Sequence, residues 1–76
     1  MKIVPVPTDR SLVIHLPQGF GLLNYTIFDI GGRIIVRGNE ERIDGEFRLE
    51  LDLKEGLYII ECDHNGSVIR GKFIIA

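Results

Sequence analysis

The chain has 76 residues, of which 45% are hydrophobic, and this length suffices for a single domain over residues 1–76. A domain of this size buries only about 60 to 65% of the surface that its unfolded chain exposes, so modest stability is predicted. The chain has no room for a second core. Nine basic and eleven acidic side chains give a net charge of −2 and form no block of one sign, which argues against nucleic acid as a partner.

The first ten residues, MKIVPVPTDR, contain too few apolar residues before Pro5 and Pro7 for the apolar segment of a signal peptide. Proline suits the first residue of a strand or a sheet edge, so Val4 to Asp9 are interpreted as the joint to a preceding domain. No apolar run approaches the ~20 residues that span a bilayer, so no transmembrane segment is predicted.

Alternating apolar and polar residues predict two strands in the first half of the chain, in Ser11 to Leu16 and in Leu22 to Asp29. The residues predicted to face the interior are Leu12, Ile14, Leu16, Leu23, Tyr25 and Ile27. Those predicted to face away are Val13, His15, Asn24, Thr26 and Phe28.

The second half of the chain continues the strand pattern. Glu46 to Leu53 alternates strictly, and its apolar side consists of Phe47, Leu49, Leu51 and Leu53. Three further stretches, Arg33 to Gly38, Leu57 to Cys62 and Ser67 to Ile75, are apolar on both faces in places. They are therefore interpreted as central strands or as strands covered by a partner.

Turn signals separate these strands at short intervals. They lie at Pro17 to Gly21, Asp29 to Gly32, Gly38 to Glu41, Asp44-Gly45, Lys54 to Gly56 and Asp63 to Gly66. Asn65-Gly66 favours a type I′ hairpin turn, because both residues tolerate positive φ. The pattern predicts six or seven strands and no helix, as in a sandwich or barrel.

The stretch LKEGLY, from Leu53 to Tyr58, predicts the corner at which the chain passes between two sheets. In Greek-key sandwiches a tyrosine just inside the second strand donates a hydrogen bond to a backbone group a few residues upstream. In this hypothesis Leu53 fills the core, Gly56 supplies the unusual backbone angles and Tyr58 fixes the corner.

Two short stretches contain residue types found in reactive sites, but each has a simpler explanation. Cys62 is the only cysteine, and we place the start of a turn at Asp63, which takes His64 off its face and leaves Cys62 a buried structural residue. His15, His64 and Cys62 lack the spacing of a zinc site. DHNG, at 63–66, lacks the remaining ligands of a Ca²⁺ loop. No catalytic, metal-binding or cofactor-binding residue and no cofactor is predicted.

Asp29 and Arg33 flank a pair of glycines and have two interpretations. They form a recognition pair, or Asp29 caps a turn by accepting backbone N–H groups two positions on. No helical pattern follows the glycines, so a phosphate-binding loop is not predicted.

Four stretches carry a resemblance to a known family. They are IVPVPTDRSLVIHL with Pro5 and Pro7, YTIFDIGGRIIVRG with Asp29, Gly32 and Arg33, LDLKEGLYIIEC with Leu53, Gly56 and Tyr58, and NGSVIRGKFIIA with Lys72, Phe73 and Ile74. In this order and spacing they resemble the C-terminal sorting domain of the type IX secretion system of Bacteroidetes over nearly the full chain. The resemblance implies an all-β fold, a small immunoglobulin-like, Greek-key antiparallel β-sandwich of six to seven strands.

The chain departs from that family pattern at its two ends. Pro5-Val6-Pro7 stands where the family usually has Pro-Asn-Pro, and Ala76 stands where it usually has a polar or basic residue. A related set of short secreted Bacteroides β-sandwich proteins shares much of the same strand pattern, and membership of that set, with an unknown role, is an alternative to a sorting domain.

The resemblance implies a non-catalytic sorting signal that directs an exported, upstream cargo through the periplasm to type IX machinery proteins at the outer membrane, and so to the cell surface or outside. Lys72, Phe73, Ile74 and Ile75 form the terminal strand that we expect to contact this machinery, either through an exposed edge or while serving as ordinary core. The alternative is an accessory sandwich that binds protein or carbohydrate or spaces neighbouring domains, although the chain has no Trp. An enzyme is not expected.

Overall fold

The alternating stretches form seven β-strands. The computed structural model describes residues 2–6, 9–16, 21–41, 45–64 and 66–76. Its strands are β1 (Lys2–Val6), β2 (Ser11–His15), β3 (Leu22–Asp29), β4 (Ile34–Glu41), β5 (Glu46–Glu50), β6 (Gly56–His64) and β7 (Ser67–Ile75). Over these ranges there is no α-helix, and so no apolar helix of membrane-spanning length. The all-β prediction with six to seven strands is confirmed.

The strands form two antiparallel sheets. One sheet has the order β1-β2-β5, and the other has the order β4-β3-β6-β7. The chain changes sheet after β2, after β4 and after β5. In immunoglobulin lettering, strands A, B and E pack against strands C′, C, F and G, so the predicted Greek-key sandwich is confirmed.

The inner faces of the two sheets enclose one apolar core, because each strand turns alternate side chains toward the other sheet. The buried members of this core are Leu12, Ile14, Leu16, Leu23, Ile27, Leu51, Ile60, Cys62, Phe73 and Ile75. At one side of the sandwich the ring of Tyr25 on β3 lies 5.9 Å from that of Phe47 on β5, centroid to centroid. The predicted inward faces of β2 and β3 therefore form the core.

Val13 lies on the outer face of β2, as predicted, yet it is buried. Arg48 is its direct neighbour on β5, and the Arg48 guanidinium reaches along the sheet to Ser11 Oγ, 3.1 Å from Nη1, and toward Asp9. The aliphatic part of such a side chain covers apolar surface while its charged end stays at the rim. Val13 thus lies between Val4 on β1 and Arg48 on β5, which are its direct neighbours on the outer face.

β4 and β7 are the edge strands of the four-stranded sheet, so the first alternative for these stretches, a central strand, is wrong for both, and the second, a strand covered by a partner, stays a prediction. β6 alone of the three lies between two neighbours. On β4 Ile34 and Ile35 are exposed, and on β7 Val68 and Ile74 are exposed. Apolar residues on both faces of a strand therefore do not imply burial on both faces here.

The N-terminal segment is part of the sandwich. β1 begins at Lys2, so Val4 belongs to a strand and not to a joint between domains, which corrects that interpretation. Pro5 lies within β1 at an edge of the three-stranded sheet, the position that proline prefers. Pro7 lies outside the described residues.

The corner between β5 and β6 has the predicted geometry. Tyr58 Oη donates a hydrogen bond to the Lys54 carbonyl oxygen at 2.7 Å. Gly56 has a φ of 153°, which side-chain-bearing residues rarely adopt. Leu53 is only half-buried against the core, and Leu51 is the buried residue at this end of β5. The leucine that fills the core is therefore two positions earlier than predicted.

We expect Tyr58→Phe to lower the free energy of unfolding by about 1 kcal/mol, the usual net contribution of one hydrogen bond. The ring and its packing stay, so the loss isolates the bond to Lys54. Urea unfolding followed by circular dichroism measures it. Tyr25→Phe is the matched control, because the Tyr25 hydroxyl has no hydrogen-bond partner among the described residues, and its midpoint should stay near that of the unmodified chain. Equal midpoints for Tyr58→Phe and the unmodified chain would contradict a corner held by this bond.

Candidate partner-binding site

The C-terminal strand, β7, has one paired side and one open side. It pairs with β6 over nine residues and is the last strand of its sheet. Its backbone groups on the open side are available to another strand, which is how sheets accept extended partners. The sequence-predicted binding residues thus lie on an exposed edge.

The four predicted binding residues alternate between the two faces of β7. Phe73 and Ile75 point into the core and are 3% and 2% exposed. Ile74 is 60% exposed on the outer face, and Lys72 shares that face. Only Lys72 and Ile74 present their side chains to a partner while the domain is folded.

Phe73 and Ile75 attach the terminal strand to the corner. Phe73 is paired with Tyr58, and their rings stack with centroids 5.7 Å apart and planes 24° apart. Ile75 is paired with Gly56, the glycine of the corner. The segment that the resemblance associates with export is therefore anchored on the residues that turn the chain between sheets.

The turn between β3 and β4 is closed by Asp29. Its Oδ1 accepts the backbone N–H groups of Gly31, at 3.0 Å, and of Arg33, at 2.9 Å. Its Oδ2 lies 3.2 Å from Arg33 Nε. Gly32 has a φ of 88° in this turn. Both interpretations of Asp29 and Arg33 are compatible with this geometry, since the pair caps the turn and leaves the Arg33 guanidinium exposed.

The backbone N–H of Arg33 is the main cause that lowers the pKa of Asp29 below its ordinary value of 3.8. Burial opposes this shift, while the Gly31 N–H and the charge of Arg33 reinforce it. Asp29 is thus held as a carboxylate, the form that caps the turn.

Cys62 and His64 share the inner face of β6, because that strand continues to His64. The interpretation of a turn beginning at Asp63 is therefore wrong. Both residues are buried, and burial first, with the charge of Glu61 second, raises the pKa of the Cys62 thiol to about 11. A thiol that is protonated at neutral pH and closed off from solvent is a poor nucleophile, which supports the structural role of Cys62.

The hairpin between β6 and β7 has a two-residue connection, since His64 pairs directly with Ser67. Asp63 Oδ1 accepts the Gly66 N–H at 3.1 Å, and Gly66 has a φ of 85°. Asn65 lies outside the described residues. Within the described ranges no three His, Cys, Asp or Glu side chains lie close enough together to hold a metal ion.

Sequence reasoning missed a group of apolar side chains on the outer face of the four-stranded sheet. Phe28, Leu57 and Ile59 lie on that face, and Leu57 is directly paired with Ile74. The available signal was that the β6 sequence is apolar on both faces. Leu57 and Ile59 alternate with the residues that face the core, so they must point to the other side of the sheet.

The chain matches the profile of a known protein family. The profile of the family described as secretion system C-terminal sorting domain matches residues 2–76, all of the chain but its first residue. No curated protein is significantly similar to this chain.

The two faces of β7 predict effects of different size on the free energy of unfolding for one substitution made at neighbouring positions. Ile75→Val removes a buried methyl group and should lower the free energy of unfolding by about 1 kcal/mol. Ile74→Val removes the same group from an exposed side chain and should change it by less than about 0.5 kcal/mol. Urea unfolding of both variants tests the assignment. The assignment is wrong if the Ile74 variant loses as much as the Ile75 variant.

The low pKa of Asp29 predicts a pH dependence of stability. Because the folded-state pKa lies below the unfolded one, the carboxylate stabilises the fold above about pH 4, and this contribution disappears as the pH falls through the folded pKa. Asp29→Asn should therefore show a flatter decline of the free energy of unfolding toward about pH 2.

Asp29→Ala separates charge from capping, because it also removes the acceptor for the two N–H groups and should be less stable than Asp29→Asn at every pH. Urea midpoints measured from neutral to acidic pH give both comparisons. Parallel pH profiles for the unmodified chain and Asp29→Asn would contradict the stabilising carboxylate.

Proposed function

Because the chain belongs to the family of secretion system C-terminal sorting domains, whose members are sorting signals for type IX secretion, we propose that it presents an attached cargo to the secretion machinery through β7. The match over residues 2–76 carries this conclusion. The open edge of β7 supports it, since an edge strand offers backbone groups for pairing and alternate side chains for specificity.

The alternation along β7 suggests separate roles for the four residues of the terminal strand. Lys72 and Ile74 contact the partner with their side chains, because they are exposed on the outer face. Phe73 and Ile75 act indirectly by holding the strand against Tyr58 and Gly56. The signal in this proposal is a displayed strand of a folded domain.

The domain itself performs no chemistry in this proposal. Its role is to be bound and carried, and the cargo reaches the cell surface or the extracellular space after crossing the periplasm. Family membership supports this role, and the buried, protonated Cys62 thiol is in keeping with it.

No specific observation favours carbohydrate binding. Sugars are held by rows of exposed aromatic rings, but the five described aromatic side chains are buried or half-buried. They are Tyr25, Phe28, Phe47, Tyr58 and Phe73.

The proposal is tested by attaching residues 2–76 to the C-terminus of a periplasmic reporter in a bacterium with a working type IX system. We expect the fused reporter to become accessible to protease added outside intact cells. The reporter without the domain, and the fusion in a strain without type IX secretion, should both stay protected in the periplasm. A fused reporter that stays in the periplasm of the competent strain would contradict the proposal.

The contribution of the terminal strand is tested by deleting residues 72–76 from the fusion. Export should be lost, because the deletion removes both the displayed residues and their anchors. Ile75→Val is the control for weakened packing, since it leaves every exposed atom of β7 in place and should keep most export. Unchanged surface delivery after the deletion would contradict a role for the strand.

A further inference from the structure

The outer face of the four-stranded sheet is divided into an apolar end and a polar end. The apolar end consists of Phe28, Ile30, Ile34, Leu57, Ile59 and Ile74, which we call the apolar patch. The polar end carries residues such as Asn24, Asn39 and Asp63. The patch is therefore a local feature of one end of one sheet.

The members of the apolar patch are neighbours across all four strands. Phe28 on β3 is paired with Ile34 on β4 and with Ile59 on β6. Leu57, two residues before Ile59 on the same strand face, is paired with Ile74 on β7. Ile30 follows in the turn after β3 and is 71% exposed. Contiguous exposed apolar surface of this kind marks interaction sites.

Two adjoining clefts open onto the apolar patch. One, of about 210 Å³, is lined by Ile59, Arg70, Gly71 and Lys72. The other, of about 230 Å³, is lined by Phe28, Ile30, Gly32, Ile59 and Arg70. Ile59 and Arg70 separate the two clefts and belong to both. Recesses next to apolar surface are where the anchoring side chains of a protein partner insert.

The rim of the apolar patch has an excess of positive charge. Four cations, Arg33, Arg37, Arg70 and Lys72, stand against two carboxylates. Asp29 pairs with Arg33, and Glu61 accepts hydrogen bonds from Arg70, with Nε at 3.1 Å. The opposite charges of Lys54 and Glu55, at the adjoining corner, cancel each other. Four minus two leaves a side-chain charge of +2 at this end of a chain whose net side-chain charge is −2.

We propose that the apolar patch is a docking surface for a protein whose matching surface has apolar side chains ringed by Asp and Glu. The proposal rests on the proposed function, because the partner would be a protein of the secretion machinery. It goes beyond the edge of β7, since Ile34 on β4 lies three strand spacings away, about 14 Å. Apolar anchors supply the affinity, and the charged rim supplies orientation and association rate.

Charge argues against a second copy of this chain as the occupant. A twofold contact of the patch with itself would bring together two rims of the same net positive charge, and like charges across an interface are unfavourable. The shape of the patch argues against an anionic membrane. Membrane-binding surfaces insert protruding apolar and aromatic side chains. Ile30 and Ile74 are exposed, but the aromatic ring of the patch, that of Phe28, is half-buried and the two clefts recede.

The test uses the reporter fusion with two matched double variants. Ile30→Glu with Ile34→Glu places acid in the patch, in the turn after β3 and in β4, neither of which pairs with β7. Leu22→Glu with Val68→Glu makes the same change of charge at the polar end of the same face, where Leu22 and Val68 are also exposed. We expect the patch variant to lower surface delivery about tenfold or more, the effect of losing an interface anchor, and the control to stay within about twofold.

The results distinguish a failure of this inference from a failure of the proposed function. If the unmodified fusion is not exported, the proposed function fails by itself. If the unmodified fusion and the patch variant are exported equally, the docking surface is wrong and the sorting function stands. Ile30→Thr with Ile34→Thr replaces the acidic pair if the purified acidic variant is unfolded by circular dichroism.

The two other candidate partners of the patch, an anionic membrane and a second copy of this chain, are tested with the purified chain. Binding to vesicles of phosphatidylcholine with one-fifth anionic lipid, lost in the patch variant and kept in the control, would overturn the protein partner in favour of a membrane. A dimer in analytical ultracentrifugation that the patch variant abolishes would overturn it in favour of a second copy.

A photo-crosslinker at Leu57 that joins the exported fusion to a type IX machinery protein, when the same group at Val68 does not, supports the protein partner.

Discussion

The contact between the rings of Tyr58 and Phe73 is the interaction on which the rest of this structure depends. Tyr58 fixes the crossing from one sheet to the other through the Lys54 carbonyl, and the same ring packs against the C-terminal strand. Phe73 cannot leave the interior without exposing that ring and opening the core beside it. The corner, the core and the terminal strand consequently form one packing unit, although they come from separate stretches of the sequence.

Alternate residues of β7 therefore have different roles, because successive side chains of a strand point to opposite faces. One set stabilises the core, and the other is exposed to a partner. Phe73 and Ile75 are committed to the core, whereas Lys72 and Ile74 are outside it. A partner that pairs with the open edge or touches the outer face leaves the core intact. A partner that took up Phe73 would have to offset the exposure of a buried aromatic side chain, which costs several kcal/mol. This difference favours recognition of the folded domain over extraction of its last strand.

The features that sequence reasoning predicted correctly are local. Alternation assigns Leu12 and Ile14 to the interior because it depends only on neighbouring residues, and the bonds made by Tyr58 and Asp29 span four residues or fewer. The order of strands within a sheet depends on contacts between distant residues, so the edge position of β4 was not predicted and that of β7 was only one of two alternatives. The boundary at Asp63 was misplaced because β6 and β7 stay paired to the last residue before their two-residue turn. The outer apolar patch was missed for a related reason, since its members come from β3, β4, β6 and β7.

The two edges of the four-stranded sheet differ in their fitness for pairing with another strand. β4 contains a bulge, because Ile27 pairs with Val36 while Phe28 pairs with Ile34, and the extra residue, Ile35, interrupts the ladder. A bulge twists and bends a strand, and this is one way in which proteins make an edge a poor template. β7 keeps an unbroken register with β6 over nine residues, so its open side has the regular spacing that an added strand requires. On physical grounds strand addition should therefore occur at β7 and not at β4. That places an added strand beside Lys72 and Ile74, at the border of the apolar patch.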